Sequence, residues 1–268
     1  MDIMQRLAQL ESNAPDLASK AKLITDQNVL KHEYRVNGAP LSMIVNEVGT
    51  LWPYKLIAFI LERAIRAGRL NLQTNTATTS ISQFRRHDGS VRQIVYTPRG
   101  SISARHVILA TNGYTSHLLP LFTDLIVPER AIMSALLPPP KSTHLTYSYG
   151  FKGNSGGTEE QEDYLHQRPF IGVPNPKGHL MFGGGKMAAE LENLGTNDDS
   201  VLDEGSAAHL RRELLNVLAM DGQTDGIKEL EATQQWSGIL GISRDKTPWV
   251  GKVPGMEGIW LAGGYSGK

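Results

Sequence analysis

Apolar residues between positions 53 and 67 recur at helical spacing, with Leu56, Ile57, Ile60, Leu61, Ala64 and Ile65 on one stripe. Pro53 suits a first helical turn and Gly68 the position just past the end, so the pattern predicts a helix over 53–67 that packs on something flat. Beyond it, Leu70 and Leu72 alternate with polar residues, and the runs 76–84, 91–97 and 101–104 read as short strands separated by turn signals at Asp88-Gly89 and Arg99-Gly100. That is a β-meander. The run 106–110 (HVILA) is apolar at consecutive positions, as in a strand covered on both faces, and it stops at Thr111, Asn112 and Gly113.

Pro138, Pro139 and Pro140 cannot lie inside a helix and mark a soft boundary. Past them the pattern is β-rich around 146–151, 163–173 and 179–183, and Leu210, Leu214, Leu215 and Leu218 share one face of a helix expected over 207–220. Two further apolar strands, 239–242 and 258–262, end in glycine and serine. Six of the 27 glycines precede residue 150 and 21 follow from there, so the second part is built of turns and close backbone approaches more than of long helices. Together these elements predict a mixed α/β fold with an antiparallel insertion.

Charge narrows the partners. Twenty-seven basic residues balance twenty-seven acidic ones, which gives no electrostatic reason to expect nucleic acid or an anionic membrane, and leaves a small molecule or another protein. No stretch reaches the ~18 apolar residues of a membrane span, and Asp2, Glu11 and Asp16 sit where a secretory signal would be apolar, so a soluble, cytoplasmic protein is expected. The absence of cysteine removes disulfides, thiolate metal sites, cysteine nucleophiles and sulfur-linked flavin. The eight histidines include no HExxH or HxH pair, and no metal site is expected.

Chemical interest falls on two strand ends. ATNGY (110–114) and LAGGYSGK (261–268) each finish an apolar run with small residues and glycine, where backbone can approach a bulky ligand and offer amide donors to oxygen. GYSGK (264–268) also comes near the G-x-S-x-G elbow of hydrolases, but Lys268 occupies the final glycine position.

In this order, LWPYKLIAFILERA (51–64), LNLQTNTATTSIS (70–82), ARHVILATNGYTSHLLP (104–120), HLMFGGG (179–185), WSGILGISRDKTPWVG (236–251) and GIWLAGGYSGK (258–268) resemble the FAD-dependent oxidoreductases of the D-amino-acid oxidase superfamily, nearest the fungal-type branch of glycine, sarcosine and other amine oxidases. The resemblance implies FAD as cofactor and hydride transfer from the carbon beside an amine nitrogen, possible service in a specialised biosynthetic pathway, and an amine or amino-acid-like substrate. It gives cofactor-contact roles to Thr78, Ala110, Thr111, Gly113, Gly241, Ile242, Gly263, Gly264, Tyr265, Ser266 and Gly267, with Asp245 also near the ring. It places Tyr164, Arg168, Trp236 and Arg244 on the substrate side.

The same resemblance exposes departures. No G-x-G-x-x-G occurs anywhere, and Gly183-Gly184-Gly185 fails at the last glycine. The expected architecture is therefore an incomplete FAD-binding Rossmann-like domain with a β-meander insertion (1–137), a β-rich substrate domain (138–232) and a return to the FAD-binding domain (233–268). Strands next to the missing unit would lack ladder partners and leave apolar faces open. Two expectations follow: an oxidoreductase active with a complementing chain that supplies the dinucleotide-binding unit, or a truncated, catalytically inactive remnant that acts as a binding protein or has no activity.

Overall fold

A computed structural model describes residues 3–45, 48–153, 162–173 and 177–266, in two compact units, Met1–Asn75 and Thr76–Lys268.

The first unit contains α1 (Ile3–Asn13), α2 (Pro15–Ala18), β1 (Ala21–Ile24), α3 (Gln27–His32), β2 (Ser42–Val45) and α4 (Pro53–Arg66). β1 and β2 pair antiparallel, from Ala21 opposite Val45 to Ile24 opposite Ser42. Asp26 starts α3 by accepting the amides of Asn28 (2.8 Å) and Val29 (3.2 Å), which satisfies two of the donors a helix N-terminus leaves open. α4 forms where the stripe predicts it, and Gly68 takes a left-handed φ of 65° just beyond it. Among the described residues none of α4 is buried, and Leu56, Ile57, Phe59, Ile60 and Ile65 are exposed, contrary to the expected packing.

The second unit opens with the meander of β3 (Ser80–Arg85), β4 (Val91–Thr97) and β5 (Gly100–Ala104), a sheet of its own. There follow β6 (Val107–Leu109), α5 (Thr115–Leu118), β7 (Ile126–Leu136), β8 (Tyr149–Lys152), β9 (Glu162–Gln167), β10 (Leu180–Gly184), α6 (Glu204–Val217), β11 (Ala232–Ser243), β12 (Trp249–Lys252) and β13 (Ile259–Gly263). Five of these strands make an antiparallel sheet in the order β11-β7-β10-β9-β8. The proline run leads out of β7 and into the rest of that sheet.

α6 lies on one face of the five-stranded sheet, where Leu210 and Leu214 join Ile132, Leu136, Leu165, Leu180 and Phe182 in a core. Each such side chain contributes about 1.5–3 kcal/mol by leaving water. The helix begins before the apolar pattern does, because buried Asp203 caps it: one carboxylate oxygen accepts Ser206 N at 2.8 Å and the other accepts the amides of Glu190 (3.0 Å) and Leu191 (2.8 Å).

The third sheet, β12-β13-β6, joins β6 to β13 in parallel, with Leu109 opposite Leu261, over a second core that includes Ile126 and Ile259. β6 was expected to be covered on both faces. Only the face of Leu109 is buried; Ile108 points to the other face and is 68% exposed, and β6 is also the edge strand of this sheet. Val250 of β12 is likewise exposed.

Candidate functional site: the strand ends and the open sheet face

The parallel strands β6 and β13 deliver their carboxyl ends side by side, which is where open α/β sheets place ligands. Their continuations are tied together by Asn112, a residue held at φ 42°. Its side-chain Oδ1 accepts the amide of Tyr265 at 2.9 Å, and its Nδ2 donates to the Tyr265 carbonyl at 3.4 Å. One amide side chain thus pairs with the backbone of the last segment as a strand would.

Glycine packs a third segment into the same place. A Cβ on Gly113 would stand 2.9 Å from Ile239 Cγ2 and from the Leu240 carbonyl oxygen, and one on Gly241 would stand 2.7 Å from Asn112 Oδ1 and Gly113 N. Gly264, at φ 77°, would press a Cβ to 2.9 Å from Ser243 Cβ. The close approach that these glycines permit is between segments of the chain itself. Thr111 and Thr115 exchange a hydroxyl hydrogen bond of 2.9 Å, and a Cβ on Gly263 would lie 3.6 Å from Thr115 Oγ1. The Tyr114 hydroxyl donates to the Thr78 carbonyl at 3.3 Å, and its ring stacks on His117 with centroids 4.7 Å apart.

Thr78, Ala110, Thr111, Gly113, Gly241, Ile242, Gly263, Gly264, Tyr265 and Ser266 therefore belong to one neighbourhood, while Gly267 lies outside the described residues. The Tyr265 amide is not open to a ligand, since Asn112 holds it. The Ser266 hydroxyl donates to the Lys246 carbonyl at 3.2 Å, a structural bond that does not suit a nucleophile. Asn112 and Thr115 were not singled out from the sequence, although Asn112 stands inside the quoted motif.

The gathered groups are neutral hydroxyls, amides and glycine backbone at strand ends. In kind they suit a neutral ring or polyol chain rather than an anion, although bonds within the chain already occupy several of them. For a pyrophosphate the sequence offers no G-x-G-x-x-G loop, so the set fits only part of an FAD molecule.

The substrate-side residues divide. Trp236, Met133, Gly183, Tyr164 and Gly150 stand in register across five strands, on the face opposite α6. Tyr164 and Trp236 thus share a face, about 14 Å apart at three strand spacings. Partial desolvation of the half-exposed side chain, with the Asp163 carboxylate nearby, holds the Tyr164 phenol above its usual pKa. Arg168 follows β9 and Arg244 follows β11, strands that run in opposite directions, so the two guanidinium groups leave the sheet at opposite ends and do not converge. Asp245 serves its own turn: the amide of Thr247 and the Trp249 indole, both at 3.0 Å, bring its pKa down to about 2.

Among the described residues no cluster of three or more His, Cys, Asp or Glu side chains could hold a metal ion, and no helix is long and apolar enough to cross a membrane.

Comparison with known proteins agrees with this fold. The chain is 26% identical over 219 residues to the probable oxidoreductase OrdL of Rhizobium meliloti, which covers 82% of this chain and 43% of that protein. Its fold matches glycine oxidase from Geobacillus kaustophilus with a TM-score of 0.67 at 20% identity, over 98% of this chain and 62% of that one. It also matches NikD, an unusual amino acid oxidase essential for nikkomycin biosynthesis, with a TM-score of 0.67 at 14% identity, over 96% and 63%. The chain spans about half the length of the curated relatives it matches. The family model for FAD dependent oxidoreductases covers residues 2–268, and the chain belongs to that family.

Proposed function

We propose that this chain carries the flavin-ring and substrate portions of an FAD-dependent oxidoreductase that oxidises the C–N bond of an amine or amino-acid-like substrate. Hydride acceptance from the carbon beside the amine nitrogen is the chemistry a bound flavin supplies. The observation that carries the reading is the Asn112 clamp on Tyr265, which joins the carboxyl ends of two adjacent parallel strands.

In this reading Thr111, Gly113, Gly241, Ile242, Gly263 and Gly264 border the ring, Ala110 and Thr78 lie along the nucleotide, and Ser266 and Gly267 extend the border. Tyr164, kept protonated, offers a hydrogen-bond donor to the substrate, and Trp236 walls it. Arg168 or Arg244, not both, would meet a carboxylate. A complementing chain that supplies the dinucleotide-binding unit would pair with the free edge of β6 and hold the pyrophosphate. The likeness to NikD in fold supports a specialised biosynthetic role.

The test is flavin retention by the full chain, alone and after co-expression with a dinucleotide-binding βαβ segment, followed by peroxide release on adding amines. Stoichiometric flavin and amine-dependent peroxide in either setting are expected. Colourless protein in both would overturn the proposal. The exposed apolar stripe of α4 favours, as a second reading, a binding protein without catalysis; amine-dependent peroxide would remove it.

A further inference from the structure

The open face of the five-stranded sheet carries an arrangement that depends on one missing side chain. A Cβ on Gly183 would stand 2.5 Å from Tyr164 Cζ, 2.6 Å from its hydroxyl oxygen and 2.7 Å from Met133 Sδ. The tyrosine ring therefore lies down across β10, towards the methionine, over the space that any other residue would fill. Trp236, next in the row beyond Met133, extends the surface and is 42% exposed, while Tyr164 is 52% exposed. The result is a floor of aromatic and thioether groups that faces away from the core.

Two lysines at the margins of this floor are paired. Lys152 meets Glu162 at 2.7 Å and Lys186 meets Glu129 at 2.9 Å. Neither lysine is left to draw an anion onto the floor. Flat apolar groups gain most from such a surface, through ring stacking and sulfur–aromatic contact. β11 carries Trp236 on the floor and, five residues on, Gly241 in the strand-end cluster; strand alternation turns the two to opposite faces, so β11 links the regions end to end rather than as one surface.

We propose that Gly183 is the specificity-determining position of this face, and that the substrate is an amine bearing a flat apolar substituent that lies on Tyr164, Met133 and Trp236. The proposal rests on the reading that this face meets the substrate.

The test titrates the full chain with benzylamine and with methylamine, probes of equal charge that differ in the flat substituent, followed by saturation-transfer NMR and tryptophan emission. Benzylamine is expected to bind roughly tenfold more tightly, about what one aromatic contact supplies. Its emission change should vanish in Trp236→Phe, and Gly183→Ala should cancel the preference by displacing Tyr164. Met133→Leu keeps the volume and removes the sulfur; it is expected to weaken benzylamine two- to threefold and serves where Gly183→Ala does not fold. Equal affinities, or a preference that none of these substitutions changes, overturn the proposal, including the case in which protein covers the face. A chain that retains FAD yet shows no preference loses this proposal alone. A chain that prefers benzylamine yet never retains FAD loses only the proposed function.

Discussion

Asn112 concentrates two demands in one side chain: a positive φ, which asparagine tolerates better than most residues, and an amide that can both accept from and donate to the Tyr265 backbone. Asn112→Asp keeps the acceptor and turns the donor into a second acceptor that faces a carbonyl. A loss of about 1–2 kcal/mol is expected from denaturant unfolding, together with faster amide exchange at Tyr265. Gly113→Ala and Gly241→Ala each push a methyl into the gap between the 111–114 turn and β11, and each should cost about 1–3 kcal/mol. Because they crowd the same gap, the double variant should lose less than the sum, and strict additivity would show that the two positions are not packed together. The sequence marked this turn through its glycine and threonine. Asn112 stayed unread because its partner is 153 positions away, and no local pattern encodes that pairing.

Helix α6 and strand β9 are joined by His209, whose Nε2 lies 2.8 Å from Asp163 Oδ2, while Asp163 Oδ1 accepts the Gly185 amide at 2.7 Å. Burial alone would lower the histidine pKa. The Asp163 hydrogen bond and charge, with Glu213 adding to them and Arg212 opposing, outweigh it, and the pKa is raised above 6.5. The stabilisation from the charged pair is thus complete below the unfolded pKa of about 6.5 and is lost as pH climbs through the raised folded value. His209→Asn should cost more at pH ~5.5 than at pH ~9, read from thermal unfolding; the same loss at both would show that the imidazolium adds nothing. At this scale the sequence was legible where pattern and structure share a cause, as in α4, β4 and β10. β7 was hidden because Pro128, Glu129 and Arg130 interrupt its apolar run. Glu129 is buried against Lys186, and Arg130 donates to the Asp198 carbonyl at 2.9 Å, pairings invisible to a hydropathy pattern.

For the whole molecule, the mixed α/β architecture and the family were both legible, the second through segments that keep their order along the chain. What the pattern could not show is which apolar faces lack a cover. α4 has the stripe of a core-facing helix and buries none of it, and β6 has the composition of a central strand in an edge position. Exposed patches of this kind drive association. Replacing Ile57 and Ile60 with lysine should raise the concentration at which the chain stays monodisperse by light scattering, with stability unchanged within about 0.5 kcal/mol. A marked fall in melting temperature would show that the stripe is already covered.

The parallel pairing of β6 with β13 has a consequence for how the protein is made. Tyr265 follows Asn112 by 153 positions, so β6 leaves the ribosome long before its partner exists. At roughly 5–20 residues per second of synthesis the wait is roughly 8–30 s. Ile108 and Leu109 spend that interval without a ladder, and a chaperone that holds apolar nascent strands would have its work at β6.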